Sequence, residues 1–82
     1  MKLIFTDHAL GRIAKRQLQR AWVENVVGSP ERIEADKNDP ELEHRLGIVP
    51  ELADRVLRVI VSKTEPKRVI TVHVDRKMKD KL

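Results

Sequence analysis

The sequence of 82 residues contains no cysteine. Disulfide bonds, Cys-based metal sites and thiol nucleophiles are therefore excluded, and the composition suits a reducing compartment. Aromatic residues are also scarce, with one Trp, one Phe and no Tyr; the helical spacing around Trp22 favours a place in the core over a base-stacking role. No long apolar run follows the N-terminal lysine, so we expect neither a signal peptide nor a membrane span and place the protein in the cytoplasm.

Charge, in contrast, is plentiful and unevenly distributed around a net value of +4. Residues 1–22 carry five Lys/Arg and one acidic residue, residues 23–54 carry three and nine, and residues 55–82 carry nine and three. If the two basic ends meet in the fold, they form a positive surface suited to phosphates. The ordinary alternative is a mixed-charge surface that serves solubility. The length predicts one domain, 1–82, with a single modest core.

The stretch FTDHALGRIAKR, residues 5–16, predicts an amphipathic helix. At about 100° of turn per residue, one arc carries His8, Arg12, Lys15 and Arg16, and the opposite arc carries Ala9, Leu10, Ile13 and Ala14. Thr6 or Asp7 can cap the helix, and Asp7 suits its positive dipole end. The same dipole disfavours an imidazolium at His8 in the first turn, so we expect a neutral imidazole that can act as a base.

This opening also carries a resemblance to a known family. The pattern FTxHAxxRxxxR, a second short helix, a turn at Pro30 and the late V-x-V-D-R-K ending resemble a family of small prokaryotic domains of unknown function, itself related to the BrnT-like toxins of the RelE/ParE superfamily. The matching residues are Phe5, Thr6, His8, Ala9, Arg12 and Arg16 in the opening, and Val72, Val74, Asp75 and Arg76 in the ending. Where the family often has an aromatic residue near the end of the last strand, this chain has His73 and Val74.

The resemblance implies a function for the chain. Members of the superfamily are mostly metal-independent ribonucleases that cleave messenger RNA, or inhibitors of DNA gyrase, and each is neutralised by an antitoxin. RNA and an antitoxin protein are therefore the partners that the likeness implies, and no cofactor is needed.

The remaining pattern predicts an α+β domain with the element order β-α-α-β-β-β(-β). An N-terminal helical hairpin should pack on one face of a twisted, mainly antiparallel sheet, as in RelE/ParE-like proteins. The expected elements are a strand at 2–5, a helix ending near 17 or 18, a helix at about 19–27 closed by a left-handed Gly28, an edge strand at 32–35, strands at 44–49, 55–62 and 67–74, and a basic tail at 75–82. The acidic loop before the third strand lacks the glycine and spacing of a calcium site, so we predict no metal.

The last two long strands form the clearest hairpin, and their register can be argued. With Ser62 facing Lys67 across the turn, Arg58 lies opposite Thr71 and diagonal to His73, at about 7–8 Å. This places both side chains on a mixed sheet face, within reach of one phosphate. The other face is nearly all aliphatic and should pack on the helices.

Metal-independent RNA cleavage needs a base for the 2′-hydroxyl proton, cations for the phosphate and an acid for the leaving oxygen. The candidates are His8 and His73 for proton transfer, Arg58 and Arg45 for the phosphate, and Arg12, Arg16, Arg76 and Lys77 for gripping the RNA backbone. They divide into two rival sites, one with His8, Arg12 and Arg16 on the helix and one with Arg58, His73 and Arg45 on the sheet. These can form one composite site only if the helix stripe and the mixed face meet around a sheet edge.

Three classes of function remain open at this point. The first is a toxin-type endoribonuclease, and the second is a non-enzymatic binder of nucleic acid or of gyrase, which needs the basic surface but neither histidine. The third is a scaffold module, such as a homodimer, that uses the mixed sheet face as a protein interface.

Overall fold

The chain forms two helices and five strands, seen in a computed structural model that describes residues 2–82. The elements are β1 (Leu3–Phe5), α1 (Asp7–Lys15), α2 (Arg20–Gly28), β2 (Arg32–Ala35), β3 (Leu42–Val49), β4 (Arg55–Ser62) and β5 (Lys67–Asp75), with 3-10 turns at Pro50–Leu52 and Arg76–Met78. The α+β class and the β-α-α-β-β-β-β order are as predicted. No helix in the described part of the chain is long and apolar enough to cross a membrane.

Both ends of α1 are set by local chemistry. The Thr6 hydroxyl oxygen accepts a hydrogen bond from the Ala9 backbone N–H at 3.1 Å, which makes Thr6 the N-cap. The same hydroxyl donates to the Ile70 carbonyl at 3.0 Å, so the cap also ties the helix to β5. The helix ends at Lys15, before the predicted end, because Gln17 adopts the left-handed region with φ 55°. The left-handed ending predicted at Gly28 is wrong, since Gly28 is still helical.

The five strands form one mixed sheet in the order β1-β5-β4-β3-β2. β1 pairs in parallel with β5, whereas the other neighbours are antiparallel, and β2 is an edge strand as predicted. β1 is short and pairs only with residues 67–69 of β5. The later part of β5 therefore has no strand neighbour on that side among the described residues, and α1 packs against β5 there.

The hairpin register differs from the predicted one. Arg58 pairs directly with His73, and Ile60 with Thr71, whereas Val61 pairs with Val69, so a β-bulge places an extra residue in β5. The predicted register faced Arg68 toward the helices and Val69 away from them. In the structure Val69 is fully buried and Arg68 is exposed, because the bulge exchanges a charged residue for an aliphatic one in the core.

The helices cover one face of the sheet and leave the other, called here the uncovered face, without a helix; Leu46 and Val56 on that face are nevertheless fully buried, and the Arg76–Met78 turn contacts β4. The core between helices and sheet contains Ala9, Ile13, Leu18, Val23, Val26, Val27, Val49, Leu57, Val59, Val61, Val69 and Val72, with Trp22 packed against it. Burying each aliphatic side chain of Val or Leu size contributes roughly 1.5–3 kcal/mol before the entropic cost of ordering it. At Gly47 α2 approaches the sheet so closely that an added Cβ would lie 2.9 Å from Val26 Cγ2. Arg58, Thr71 and His73 share the uncovered face, as predicted.

Candidate functional site

Arg58 is the centre of a polar network on the uncovered face of the sheet. Its Nε and Nη2 atoms both lie 2.8 Å from Asp75 Oδ2. Its Nη1 atom donates to Glu34 Oε1 at 3.0 Å and to His44 Nδ1 at 2.7 Å. Burial acts to lower the pKa of Arg58, but the hydrogen bonds and charges of Glu34 and Asp75 outweigh it and raise the pKa above its ordinary value. Two carboxylates, those of Glu34 and Asp75, already pair with this guanidinium.

The contacts of His44 assign its tautomer. Arginine nitrogens can only donate, so His44 Nδ1 must accept from Arg58 and the ring proton must lie on Nε2. Nε2 lies 2.7 Å from Asp36 Oδ1, to which it donates. His44 thus links Asp36 to Arg58 through its two ring nitrogens. The hydrogen bond from His44, with those from the Asn38 and Asp39 backbone, lowers the pKa of Asp36.

His44 was not among the predicted site residues, although a signal for it was present. Alternation along β3 predicts His44, Leu46 and Ile48 on one face, and the structure pairs them with Ile60, Arg58 and Val56 on β4. The face that carries the predicted Arg58 and His73 therefore had to include His44.

His73 lies opposite Arg58 in the ladder and is partly buried. Desolvation is the largest effect and lowers the pKa of His73; the charge of Arg58 lowers it further, against the opposing charge of Asp75. The charge of Arg12 acts in the same lowering direction. His73 is therefore a neutral imidazole at pH 7 and has a lone pair available to accept a proton.

Asp75 had been predicted to begin the tail. It is instead the last residue of β5 and caps the 3-10 turn that follows, accepting a hydrogen bond from the Lys77 backbone N–H at 3.2 Å. Burial acts to raise the pKa of Asp75, but the hydrogen bond and charge of Arg58 outweigh it and hold the pKa below its ordinary value. The start of the tail is thereby fixed to the Arg58 network.

The helix stripe and the uncovered face do meet around an edge of the sheet. Because α1 packs against β5 where β1 has ended, His8 Nε2 reaches Thr71 Oγ1 at 3.1 Å. Arg12, one turn further along α1, is near enough to affect His73, and its Nε atom is buried without a hydrogen-bond partner among the described residues. On this edge His8 contacts Thr71, which shares a sheet face with His73, and Arg12 lies within electrostatic range of His73.

His73 also lies between two clefts. The first has a volume of about 350 Å³ and is lined by Arg16, Leu18, Leu52, Arg55, His73, Val74 and Arg76. The second has a volume of about 430 Å³ and is lined by Glu34, Ala35, Asp36, Lys37, Asn38, His44, Arg58 and His73. Arg16 and Arg76 are predicted to grip RNA, and the structure adds Arg55 to this cleft. Arg55 is the first residue of β4 and belongs to no recognisable motif, so the sequence carries no signal for it.

Arg45 does not join the other candidates. It pairs with Val59 on the face covered by the helices, where its Nη1 donates to the Val27 carbonyl at 2.6 Å and its Nη2 lies 2.7 Å from Glu43 Oε2. The predicted grouping of Arg45 with Arg58 and His73 is therefore wrong, since alternation along β3 points the side chain toward α2. Lys77 is exposed in the final 3-10 turn.

The acidic loop before β3 organises itself through its own backbone. Asp36 Oδ2 accepts hydrogen bonds from the Asn38 and Asp39 N–H groups at 3.1 and 2.9 Å, and Asp39 Oδ1 accepts one from Glu41 N–H at 2.9 Å. Within residues 2–82, no three His, Cys, Asp or Glu side chains cluster closely enough to hold a metal ion.

Comparison with known proteins assigns most of the chain to one family. The model of the family described as "Domain of unknown function (DUF4258)" matches residues 5–74. No curated protein and no solved structure matches this chain. The matched segment runs from the end of β1 to the penultimate residue of β5 and includes both helices, His8 and His73. Since the match spans most of the 82 residues, the chain belongs to the DUF4258 family.

Proposed function

We propose that this protein is a metal-independent endoribonuclease of the toxin type. The observation that carries the proposal is the contact of His8 with Thr71 at the edge of β5, two residues from His73 on the same face of the sheet, with Arg12 one turn further along α1. Two imidazoles and an arginine can supply the base, the acid and the charge stabilisation that cleavage of RNA without metal requires. His44 and Arg58 support the site by fixing the surroundings of His73.

The chemistry can be written in terms of these residues. His73 takes the proton of the 2′-hydroxyl, whose oxygen attacks phosphorus and forms a 2′,3′-cyclic phosphate. The bond to the 5′-oxygen breaks, and His8 supplies that oxygen with a proton. In this scheme His8 enters the step with the proton that it donates, and His73 leaves the step with the proton that it accepts. The guanidinium of Arg12 stabilises the charge that gathers on the phosphate.

The resemblance of the FTxHAxxRxxxR opening to BrnT-like toxins supports the same reading. An α+β domain with a helical pair on one face of its sheet is the arrangement that we expect of a RelE/ParE-like protein. In that case an antitoxin protein should bind the chain and restrain its activity inside the cell. The edge strand β2 and the exposed Ile48 on the uncovered face are accessible to such a partner.

A second function is favoured by a separate observation. Arg58 is already paired with two carboxylates, whereas the first cleft collects three arginines that form no ion pair within residues 2–82. A protein that only binds nucleic acid, or that inhibits gyrase, needs the cleft but no proton transfer. Substitution of the histidines distinguishes the two functions.

The test is induced expression in a bacterial host, with growth and total RNA followed in parallel. The wild type should arrest growth and degrade RNA, and the His8→Ala/His73→Ala double variant should do neither while remaining folded. Arg68→Ala is the matched control, because Arg68 is an exposed β5 residue on the far side of the bulge from His73. If the wild type and the double histidine variant both arrest growth but leave the RNA intact, the binding function replaces the nuclease.

Purified protein gives the second half of the test. Single-stranded RNA incubated with wild-type protein in the presence of a chelator should be cut to products that end in 2′,3′-cyclic phosphates. The double histidine variant should leave the RNA intact. RNA that survives the wild-type protein, on both structured and unstructured substrates, would refute the nuclease assignment.

A further inference from the structure

We infer that the cleft formed by Arg16, Arg55 and Arg76 is a binding site for a single nucleotide, whose phosphate lies among the three guanidinium groups. The sugar and base then cover the apolar floor made by Leu18, Leu52 and Val74. The inference deepens the proposed function by naming the unit of substrate held beside His73, and it rests on that function for its biological use. Binding itself can be measured without any cleavage.

The three arginines converge from distant parts of the chain. Arg16 directly follows α1, Arg55 opens β4, and Arg76 directly follows β5. The β4–β5 ladder ends with Val56 opposite Asp75, so Arg55 and Arg76 are the next residues at the same end of the hairpin. Two like charges at facing positions repel one another, and α1 adds a third at this point. A folded protein retains such a group most readily when an anion binds to it.

In the described part of the chain, no acidic side chain lines this cleft. Within residues 2–82 none of its three arginines takes part in an ion pair or a side-chain hydrogen bond, whereas Arg58 and Arg45 are both paired with carboxylates. Asp75, the neighbour of Arg76, is engaged by Arg58. Each cleft guanidinium therefore keeps its planar set of donors, which suits the oxygens of a phosphate group.

The size and floor of the cleft favour a nucleotide over a bare anion. A volume of about 350 Å³ lies at the lower end of the range of pockets that hold small organic ligands, about 300–1,000 Å³. Leu18, Leu52 and Val74 offer an apolar surface that a phosphate ion leaves uncovered and a flat base can cover. In the second cleft, Lys37 and Arg58 lie beside the carboxylates of Glu34 and Asp36, and Arg58 is already paired with carboxylates. The first cleft, whose cations are unpaired within residues 2–82, therefore suits a phosphate better.

His73 connects the site to the chemistry, because its side chain lines the cleft. A phosphate held by the arginines introduces negative charge beside a ring that Arg58 and Arg12 affect in the opposite sense. Occupancy of the cleft should therefore raise the pKa of His73. This gives a spectroscopic signature that arginines acting only as a solvated surface would not produce.

The experiment is calorimetric titration of the protein with uridine monophosphate, inorganic phosphate, uridine and a short oligodeoxynucleotide, which cannot be cleaved because it lacks the 2′-hydroxyl. The monophosphate should bind more tightly than either phosphate or uridine. Arg16→Ala, Arg55→Ala and Arg76→Ala should each raise its Kd by about 10-fold or more, the size expected for a lost hydrogen bond to a charged group. The matched control Arg68→Ala should leave the Kd within about twofold, since a surface charge away from the site is largely screened.

If the oligodeoxynucleotide binds more tightly than uridine monophosphate, the phosphate belongs to a nucleic-acid strand. If the two bind equally well, it belongs to a free nucleotide. Both results support the site. NMR titration of the His73 ring should show its pKa rising when the monophosphate is bound. Equal weakening by Arg68→Ala and by the cleft variants, or nucleotide binding no tighter than that of phosphate, would overturn the inference. The three arginines are exposed, and circular dichroism checks that each variant is folded.

Failure of this site is distinguishable from failure of the nuclease. If the protein binds the nucleotide but does not cleave RNA, the binding site is supported and the nuclease function is rejected. Cleavage that survives the triple Arg16→Ala/Arg55→Ala/Arg76→Ala variant at unchanged rate retains the enzyme and removes the site from its mechanism.

Discussion

The ion pair between Arg58 and Asp75 can be measured by a double-mutant cycle built from Arg58→Ala, Asp75→Ala and the double variant. Two arginine nitrogens lie 2.8 Å from one carboxylate oxygen. The side chains are only 14% and 15% exposed. Exposed pairs contribute about 0.2–1 kcal/mol, whereas removing one partner of a buried pair costs about 3–5 kcal/mol. This pair lies between those limits.

The single substitutions should not cost the same. Arg58→Ala also leaves Glu34 and His44 without their shared donor, so we expect a loss of about 2–4 kcal/mol. Asp75→Ala leaves one guanidinium that still has two partners, and we expect about 1–3 kcal/mol. The coupling energy of the pair should then be about 1–2 kcal/mol, within the range known for contacting residues.

The assay is urea unfolding followed by the fluorescence of Trp22, the single tryptophan, which is packed against the core. For a domain of this size the slope is about 1 kcal/mol/M, so Arg58→Ala should lower the midpoint by about 2 M or more. Arg68→Ala serves as the control and should stay within about 0.5 kcal/mol of the wild type. A coupling energy below about 0.5 kcal/mol at pH 7 would refute the reasoning, because the pair would then behave as a solvated surface contact.

The coupling should also depend on pH in a defined direction. Folding lowers the pKa of Asp75 from its ordinary value of 3.8. A carboxyl group of this kind stabilises the fold above its unfolded pKa, and the contribution is lost as the pH falls through the folded pKa. The coupling should therefore be constant from pH 7 down to about 5 and decline only in stronger acid.

Two further predictions concern packing and pH. Gly47→Ala places a Cβ 2.9 Å from Val26 Cγ2 and should lower the free energy of unfolding by about 1–3 kcal/mol. The loss should be smaller in a Val26→Ala background. An equal loss in both backgrounds would show that this contact is not the cause. Folding lowers the pKa of His73 from its ordinary 6.5, so the unfolded chain takes up the proton first and stability should fall as the pH drops below about 6.5. In urea titrations at several pH values, His73→Gln should show a shallower decline than the wild type, and identical curves would contradict the burial of this ring.

Local patterns of the sequence determine most of the elements. Thr6 caps α1 because its hydroxyl can accept from a free N–H three residues later, and that property needs no tertiary partner. Alternation places Arg58 and His73 on one face of the sheet, since side chains in a strand change face at every residue. The hairpin itself follows from two runs of β-branched residues separated by a short turn.

The register of the hairpin lies beyond such patterns. Alternation determines the parity of pairing but cannot distinguish registers that differ by two residues. The bulge is selected because it buries Val69 beneath the helices and leaves Arg68 exposed to solvent. This choice exists only once helices and sheet are packed together. For that reason Arg58 faces His73 and not Thr71.

The site depends on contacts between distant segments. α1 reaches the uncovered face because β1 ends early and leaves the edge of β5 open. Arg55 joins Arg16 and Arg76 because the end of α1, the start of β4 and the end of β5 lie at one corner of the fold. By itself the sequence determined the helix caps, the strand alternation and the kinds of chemical group available. The tertiary structure alone decided which of these groups meet, because contacts between residues far apart in sequence depend on the packing of the whole chain, whereas local patterns describe only a residue's near neighbours.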